Sequence, residues 1–468
     1  MRVFLCEPNI PVRASRFEPL GLCSISAYLK SKGQNVAVYQ QFDQPESKVV
    51  EEILSFDPDV VGFSCIDVNM PGALRMAHMV KERKPDAFVV FGGEHPTANW
   101  QMVEQPEIDL VVIGEGEITL AEVLDAMESG SRDFSNIAGL ALLDGEKAVR
   151  TKERDRIADL GSLPLPDREV LGKTRYLYYG LTPSDIGIPA GRLHVASVYL
   201  SRGCTFNCRF CTTPNVWGRR WIARPVDGVI SEIEKLADKG INFVYFQDEN
   251  FLTDLKIVRE FCIKKIERGL NMPFSIISRI AHLDDETIDL LHMAGLRHIG
   301  VGIESVREET LNEINKGLDL AQTKKRIARL RKSGISVCGL FMIGYPWETE
   351  EMIREYSPLI RDLGVDSIKI QFLTPFAGTQ MYEEAMRDGH ILTENPLDHS
   401  TEVPVLKSEH LTAEQLIRLR NLLYRRFYFS PAFILKLAKK ALRRPSLVPD
   451  YFSRLYWFIR RMKRVEIL

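Results

Sequence analysis

The chain has 468 residues, 45% hydrophobic and 26% charged, with a formal net charge of -2. That length exceeds what one hydrophobic core ordinarily supports, so two or three domains are expected. The near-neutral balance gives no global pull toward nucleic acid or anionic lipid, and no run approaches 18 uncharged apolar residues.

The opening stretch "MRVFLCEPNIPVRASRFEPLG" has no apolar segment of signal-peptide length before its charges and prolines resume. Up to residue 135, short apolar runs ("MRVFLCEP", "NVAVYQ", "VVGFSC", "AFVVFGG", "LVVIGEG") alternate with helical spacing, as in "LGLCSISAYLKSKG" and "ITLAEVLDAMESG". Unalternated strands separated by amphipathic helices predict a parallel sheet covered on both faces, with ligands at the strand-end loops. Residues 136–190 are less periodic and read as a connector, with "YLYYGLTPSDIGIPAGR" as a loop across an interdomain surface.

From 191 to 390 a second series predicts six strands: "HVASVYL", "NFVYFQDEN", "FSIISRI", "HIGVGIES", "VCGLFMIG" and "SIKIQFLTP". Six parallel strands with crossover helices predict a partial or closed barrel, its chemistry at the C-terminal strand ends. Residues 391–468 read as helical. From 431 onward they carry ten Lys or Arg against two acids, interleaved with aromatics, which suits a capping helix or a surface for a membrane or an acidic partner.

Directly after the first strand of this series, "SRGCTFNCRFC" places Cys204, Cys208 and Cys211 within eight residues of a chain with eight cysteines in all. The other five sit among apolar residues and read as buried small hydrophobes, which fits a reducing cytoplasm. Three thiolates suit one corner of a [4Fe-4S] cube with its fourth iron open to a small chelating molecule. A zinc site or an inert triplet are the alternatives. Nearby Arg202, Arg209, Arg219 and Arg220 make the loop electropositive on this reading.

The cysteine spacing, with Phe210 before the last cysteine, resembles the radical S-adenosylmethionine superfamily, and later strand ends agree in order and spacing. The resemblance implies a partial (β/α)₆ barrel in which Cys204, Cys208 and Cys211 ligate a [4Fe-4S] cluster and S-adenosylmethionine chelates its fourth iron. One-electron reduction by an external donor such as flavodoxin or ferredoxin then yields methionine and a 5′-deoxyadenosyl radical, which takes hydrogen from a small-molecule substrate. It assigns Glu249 to the methionyl ammonium, Ser278 and Arg279 to the carboxylate or ribose, and Glu304 to the ribose hydroxyls. Phe210, Ile343, Gly344 and Tyr345 fall around adenine.

The first domain resembles the Rossmann-like cobalamin-binding domain that precedes the barrel in one subgroup. That implies Gly92, Gly93, His95, Thr97, Gly114 and Glu115 near the corrin or its nucleotide tail. The Asp-x-His-x-x-Gly segment of many such domains is missing. This suits cobalamin held without histidine ligation, or a domain that has lost it. Cobalamin-dependent methylation of an unactivated carbon is the leading expectation. Radical dehydration, cyclisation or carbon–carbon coupling without methyl transfer is the second, and a non-enzymatic iron–sulfur protein the third. Methylthio transfer to RNA is disfavoured for want of a second cysteine set, and no nucleic-acid partner is expected. No residue is assigned as catalytic acid or second radical donor. Trp217, Trp221 and Trp347 are candidate walls of a substrate cavity.

Overall fold

The computed structural model describes residues 1–10, 17–171, 186–393, 395–450 and 452. The "YLYYGLTPSDIGIPAGR" loop and the end of the basic tail lie mostly outside these residues.

The first unit runs β1 (Arg2–Glu7), α1 (Leu20–Ser31), β2 (Asn35–Gln40), α2 (Glu46–Phe56), β3 (Val60–Ser64), α3 (Met70–Arg83), β4 (Phe88–Gly92), α4 (Glu94–Ala98), β5 (Leu110–Val112) and α5 (Gly116–Glu128). The strands pair in parallel in the order β2-β1-β3-β4-β5. Successive residues of a strand face opposite sides, and here both sides are covered. Val3 and Leu5 pack with Leu22, Leu29, Leu120 and Leu124 of α1 and α5. Phe4 and Cys6 pack with Val49, Ile53, Met76 and Val80 of α2 and α3. This is why the strands read as continuous apolar runs. The order reverses at β1 and β3, opening a crevice at their C-terminal ends.

The sheet then continues with an antiparallel hairpin, β6 (Leu140–Asp144) and β7 (Lys147–Arg150). The sequence reading names no strand there, because β7 and half of β6 are solvent-facing and carry little apolar signal.

The second sheet contains β8 (Val195–Val198), then a small antiparallel pair, β9 (Ser201–Gly203) and β10 (Trp221–Ala223), which brackets the cysteine loop and α6 (Thr213–Trp217). There follow α7 (Val226–Asp238), β11 (Phe243–Phe246), α8 (Leu255–Glu267), β12 (Phe274–Ser278), α9 (Asp285–Met293), β13 (Leu296–Glu304), α10 (Glu308–Glu313), α11 (Leu320–Lys332), β14 (Ser336–Ile343), α12 (Glu350–Leu363) and β15 (Ser367–Phe372). The six long-sheet strands pair in parallel in the order β15-β14-β13-β12-β11-β8. β8 and β15 are not neighbours, so the barrel is partial. Asp254, Asp284, Asp319 and Thr349 cap α8, α9, α11 and α12, each side chain accepting a backbone N–H. Each such cap stabilises its helix by about 1 kcal/mol.

The tail holds α13 (Gln380–Arg387), α14 (Ala413–Tyr428) and α15 (Pro431–Arg443). Leu416, Leu419, Leu423 and Phe427 of α14 join the barrel core. One turn apart on the same helix, Tyr424 and Tyr428 pair their hydroxyls with the backbone of Ile370 and Ile368. They cover the open edge of β15, which would otherwise present unpaired backbone groups. Among the described residues, no helix is long and apolar enough to cross a membrane.

Candidate active site at the facing strand ends

Gly203 turns the chain into the cysteine loop at φ +92°, where a Cβ would stand 2.1 Å from the Arg220 carbonyl oxygen. Only glycine fits that approach. Cys204, Cys208 and Cys211 are half-buried, whereas Cys6, Cys23, Cys65, Cys262 and Cys338 are fully buried, as expected for small hydrophobes. Burial pushes the Cys204 and Cys211 thiols up, opposed by the backbone N–H groups of Phe206 and Thr213 respectively. The Cys211 thiol donates to the Thr213 hydroxyl at 3.3 Å. Among the described residues, no three His, Cys, Asp or Glu side chains converge on one metal ion. A cube places each thiolate on a separate iron, so three spaced sulfurs suit it.

The charge environment differs from the sequence reading. Arg202 is neutralised by Glu115 and Glu117, and Arg209 by Glu313 and Glu384. Arg219 and Arg220 are exposed. The cation that reaches a sulfur is Arg279, whose Nη1 lies 3.4 Å from Cys208 Sγ. Its Nη2 bonds the carbonyls of Lys316 and Gly317, and the guanidinium lies 3.8 Å over the Phe206 ring.

Around this loop the strand ends carry buried polar groups. After β11, Asp248 accepts from Leu200 N, Ser201 N and the Ser201 hydroxyl at 3.0, 2.7 and 2.5 Å. Burial outweighs those donors and pushes its carboxyl up to about 7. Glu249 Oε2 accepts the Gly203 N–H at 2.8 Å, and burial raises its carboxyl too. The Ser278 hydroxyl donates to Asn250 Oδ1 at 2.6 Å and accepts from Leu252 N at 2.9 Å. Glu304 sits at a register shift of β13 with φ +69° and pairs with Lys316 at 2.8 Å. A Cβ on Gly302 would fall 2.6 Å from the Glu304 carboxylate and 3.0 Å from Lys316 Nζ.

After β14, Gly344 turns at φ +87° and donates its N–H to Glu348 at 2.7 Å, with the Tyr345 N–H at 3.2 Å from the same oxygen. Glu348, raised to about 7 by burial, also accepts from the Tyr356 hydroxyl. The sequence reading missed Glu348. Its signal was the acid four residues after Gly344, where a carboxylate folds back onto the turn's N–H groups. Ile343 is fully buried, Phe210 packs in the apolar cluster of Tyr345, and Trp347 stacks on Tyr345 at 5.4 Å.

Facing these ends, a cavity of about 320 Å³ opens at the β1/β3 crevice of the first sheet. Gly92, Gly93, Gly114 and Glu115 line it, and so do Trp217, Gln247 and Glu249 from the second unit. His95 and Thr97 stand behind this wall. His95 Nδ1 is 2.9 Å from Asp67, and the Thr97 hydroxyl accepts the Gly114 N–H at 3.1 Å. Trp221 lies on β10, outside the cavity lining.

The site fits the expected groups on two structural counts. The Arg279 Nε and Tyr345 hydroxyl are buried with no hydrogen-bond partner among the described residues, an arrangement that a polar ligand relieves. At the crevice, Gly21 and Gly114 have no atom within 3.6 Å of where a Cβ would stand, so both leave open wall.

Residues 9–124 match the B12 binding domain family and residues 198–357 the Radical SAM superfamily. An uncharacterized methyltransferase of Pyrococcus horikoshii is 30% identical over 423 residues, covering 89% of each chain. The anaerobic magnesium-protoporphyrin IX monomethyl ester cyclase of Rubrivivax gelatinosus is 29% identical over 450 residues, covering 93% of this chain and 78% of the relative. The fold resembles the radical S-adenosylmethionine methyltransferase TsrM of Kitasatospora setae, with TM-score 0.72 and 21% identity over 92% of this chain and 90% of that one. The fold and site are those of a two-unit enzyme that pairs a corrin-type crevice with an iron–sulfur loop. The chain belongs to the radical S-adenosylmethionine superfamily, in the branch that carries a B12-binding domain. Its cofactors are a [4Fe-4S] cluster and S-adenosylmethionine, and its first unit matches a family of B12-binding domains.

Proposed function

We propose that the enzyme methylates an unactivated carbon of a small-molecule substrate. The observation that carries this is the cavity shared by both sheets, with Gly93 and Gly114 on one wall and Glu249 and Trp217 on the other. When bound, the cluster supplies the electron that cleaves S-adenosylmethionine to a 5′-deoxyadenosyl radical, and cobalamin carries the methyl group.

Cys204, Cys208 and Cys211 hold the cluster. Glu249, with Oε2 on the Gly203 N–H, offers Oε1 to the methionyl ammonium. Ser278 is committed to Asn250 and Leu252 and so fixes the backbone from which Arg279 reaches the carboxylate or ribose. Glu304, with one oxygen on Lys316, turns the other to the ribose hydroxyls. Phe210, Ile343, Gly344 and Tyr345 close around adenine, and Trp347 backs Tyr345. Gly92, Gly93, Gly114 and Glu115 form the corrin-side wall, with His95 and Thr97 bracing it. The division into units is taken as 1–135, 136–190, 191–390 and 391–468, with the first sheet borrowing β6 and β7 from the connector.

An external one-electron donor of flavodoxin or ferredoxin type supplies the reductant, as suits an enzyme of the reducing cytoplasm. On α15, Ile434, Leu435 and Leu442 are exposed between basic residues, which supports contact with a membrane surface or an acidic partner.

Anaerobic protein reconstituted with iron, sulfide and hydroxocobalamin should show corrin absorbance co-eluting with the chain. It should release 5′-deoxyadenosine from S-adenosylmethionine only with dithionite. Failure to take up any corrin would sink methyl transfer. The similarity to the Rubrivivax cyclase favours a second reading, radical cyclisation without methyl transfer. It would give 5′-deoxyadenosine and a product without label from methyl-labelled S-adenosylmethionine.

A further inference from the structure

Between the corrin-side cavity and the cysteine loop lies a buried set of charges. Arg202, 7% exposed, bonds Glu115 at 2.9 Å and Glu117 at 2.7 Å. It also donates to the Ser24 hydroxyl at 3.3 Å and the Tyr199 hydroxyl at 3.2 Å. The guanidinium lies 4.8 Å from the Tyr199 ring centre and 5.6 Å from that of Trp217. A second cation, Arg156, ties Glu115 to the Trp217 carbonyl at 2.9 and 2.7 Å.

The positions along the chain give this set its meaning. Arg202 is two residues before Cys204, and the intervening Gly203 donates its N–H to Glu249. Glu115 and Glu117 flank the start of α5, next to Gly114 on the cavity wall. A rigid two-pronged guanidinium thus bridges the wall of one cofactor site to the base of the other.

Stability alone does not call for this arrangement. Taking four charges out of water costs several kcal/mol per ion, and apolar replacements of a buried ion set are often neutral or stabilising. In some proteins such a set specifies one relative placement of the parts it joins.

We propose that Arg202, gripped by Glu115 and Glu117, is a positioning residue that fixes the separation and orientation of the corrin-side cavity relative to the cluster loop. This rests on the reading that cobalamin occupies that cavity. The two cofactors must share one substrate, and a displacement of about 1 Å at such a junction costs around 100-fold in rate.

The test is a double variant, Arg202→Met with Glu117→Gln, which removes the bridge without stranding a buried charge. Its control is Arg154→Met with Glu122→Gln, an ion pair between the connector and α5 that makes no bond to the second unit. Each protein is loaded with iron, sulfide and hydroxocobalamin and reduced. The dipolar coupling between Co(II) and the reduced cluster is then read by pulsed EPR, alongside cobalt and iron content and Tm. The proposal expects cofactor contents and Tm near wild type, a broadened or shifted cobalt–cluster distance in the bridge variant only, and a wild-type distance in the control. Arg202→Lys, which keeps charge but loses the fork, should fall between. If the double variant fails to fold, Arg202→Lys is read the same way. A loaded variant with the wild-type distance overturns the positioning role while leaving the functional reading intact. Wild-type protein that binds no cobalt overturns the reading itself.

Discussion

In the first sheet the strand ends turn on Gly93 and Gly114, both at positive φ, and the crevice between them is walled mostly by backbone and apolar side chains. In the second sheet the corresponding ends carry Asp248, Glu249, Glu304 and the Glu348-held turn, all acidic, with Asp248 and Glu348 buried and Glu249 and Glu304 half-buried. At both sites the strands run parallel with helices packed on them, so the scaffold does not explain the contrast. On the proposed assignment of ligands, the two occupants do. A broad macrocycle needs smooth wall and close backbone approach, whereas a zwitterionic nucleotide needs fixed donors and acceptors at separate points.

The largest effect that sharpens this contrast is at the cysteine loop. Cys208→Ser should lower bound iron and sulfide and bring 5′-deoxyadenosine release to background, while corrin uptake by the first unit stays near wild type. Loss of both cofactors together would mean that the two sheets do not act as separate binding units.

The second effect is on pH. Asp248 keeps its proton up to about 7 in the folded chain, against an ordinary 3.8, so the folded state binds more protons between those values. Its contribution to stability is therefore full below about pH 4 and lost as pH rises through 7, by roughly 4 kcal/mol. Glu348 acts in the same direction. At the first sheet's edge the sign reverses. Burial raises Glu117, but Arg202 overrides it and holds the carboxyl below its ordinary value, so its contribution is present above that value and fades in acid. Asp248→Asn should flatten the decline of Tm between pH 5 and 8. An unchanged slope would show that Asp248 is already ionised across that range.

Much of this was legible in the sequence, for identifiable reasons. The strands of both sheets are buried on two faces and so read as unbroken apolar runs, and the cysteine spacing is local. What escaped was pairing over distance. Arg202 reads as part of an electropositive loop until the fold brings Glu115 and Glu117, more than 80 residues away, onto it. Lys316 likewise has no visible claim on Glu304, and the hairpin of β6 and β7 is too exposed to show apolar alternation. His95 and Thr97 follow β4 but stand behind the cavity wall, because a short helix turns them toward Asp67 and Gly114 respectively.

The smallest effect tests the glycine side of the contrast. Gly93 follows β4 at φ +101°, and a Cβ there would stand 2.6 Å from the Cys65 carbonyl oxygen and 2.9 Å from its nitrogen. Both atoms are backbone, so no side-chain rotation relieves the clash. Gly93→Ala must move β4 away from the turn after β3, at about 1–3 kcal/mol of strain. That movement deforms the crevice, whereas the three cysteines stand on the second unit. Corrin affinity should fall about tenfold or more with iron content unchanged, measured by titrating hydroxocobalamin into the iron-loaded variant. Unaltered corrin affinity in a variant of lowered Tm would mean that the glycine serves only the packing of β3 against β4, and that the smooth wall is not what holds the macrocycle.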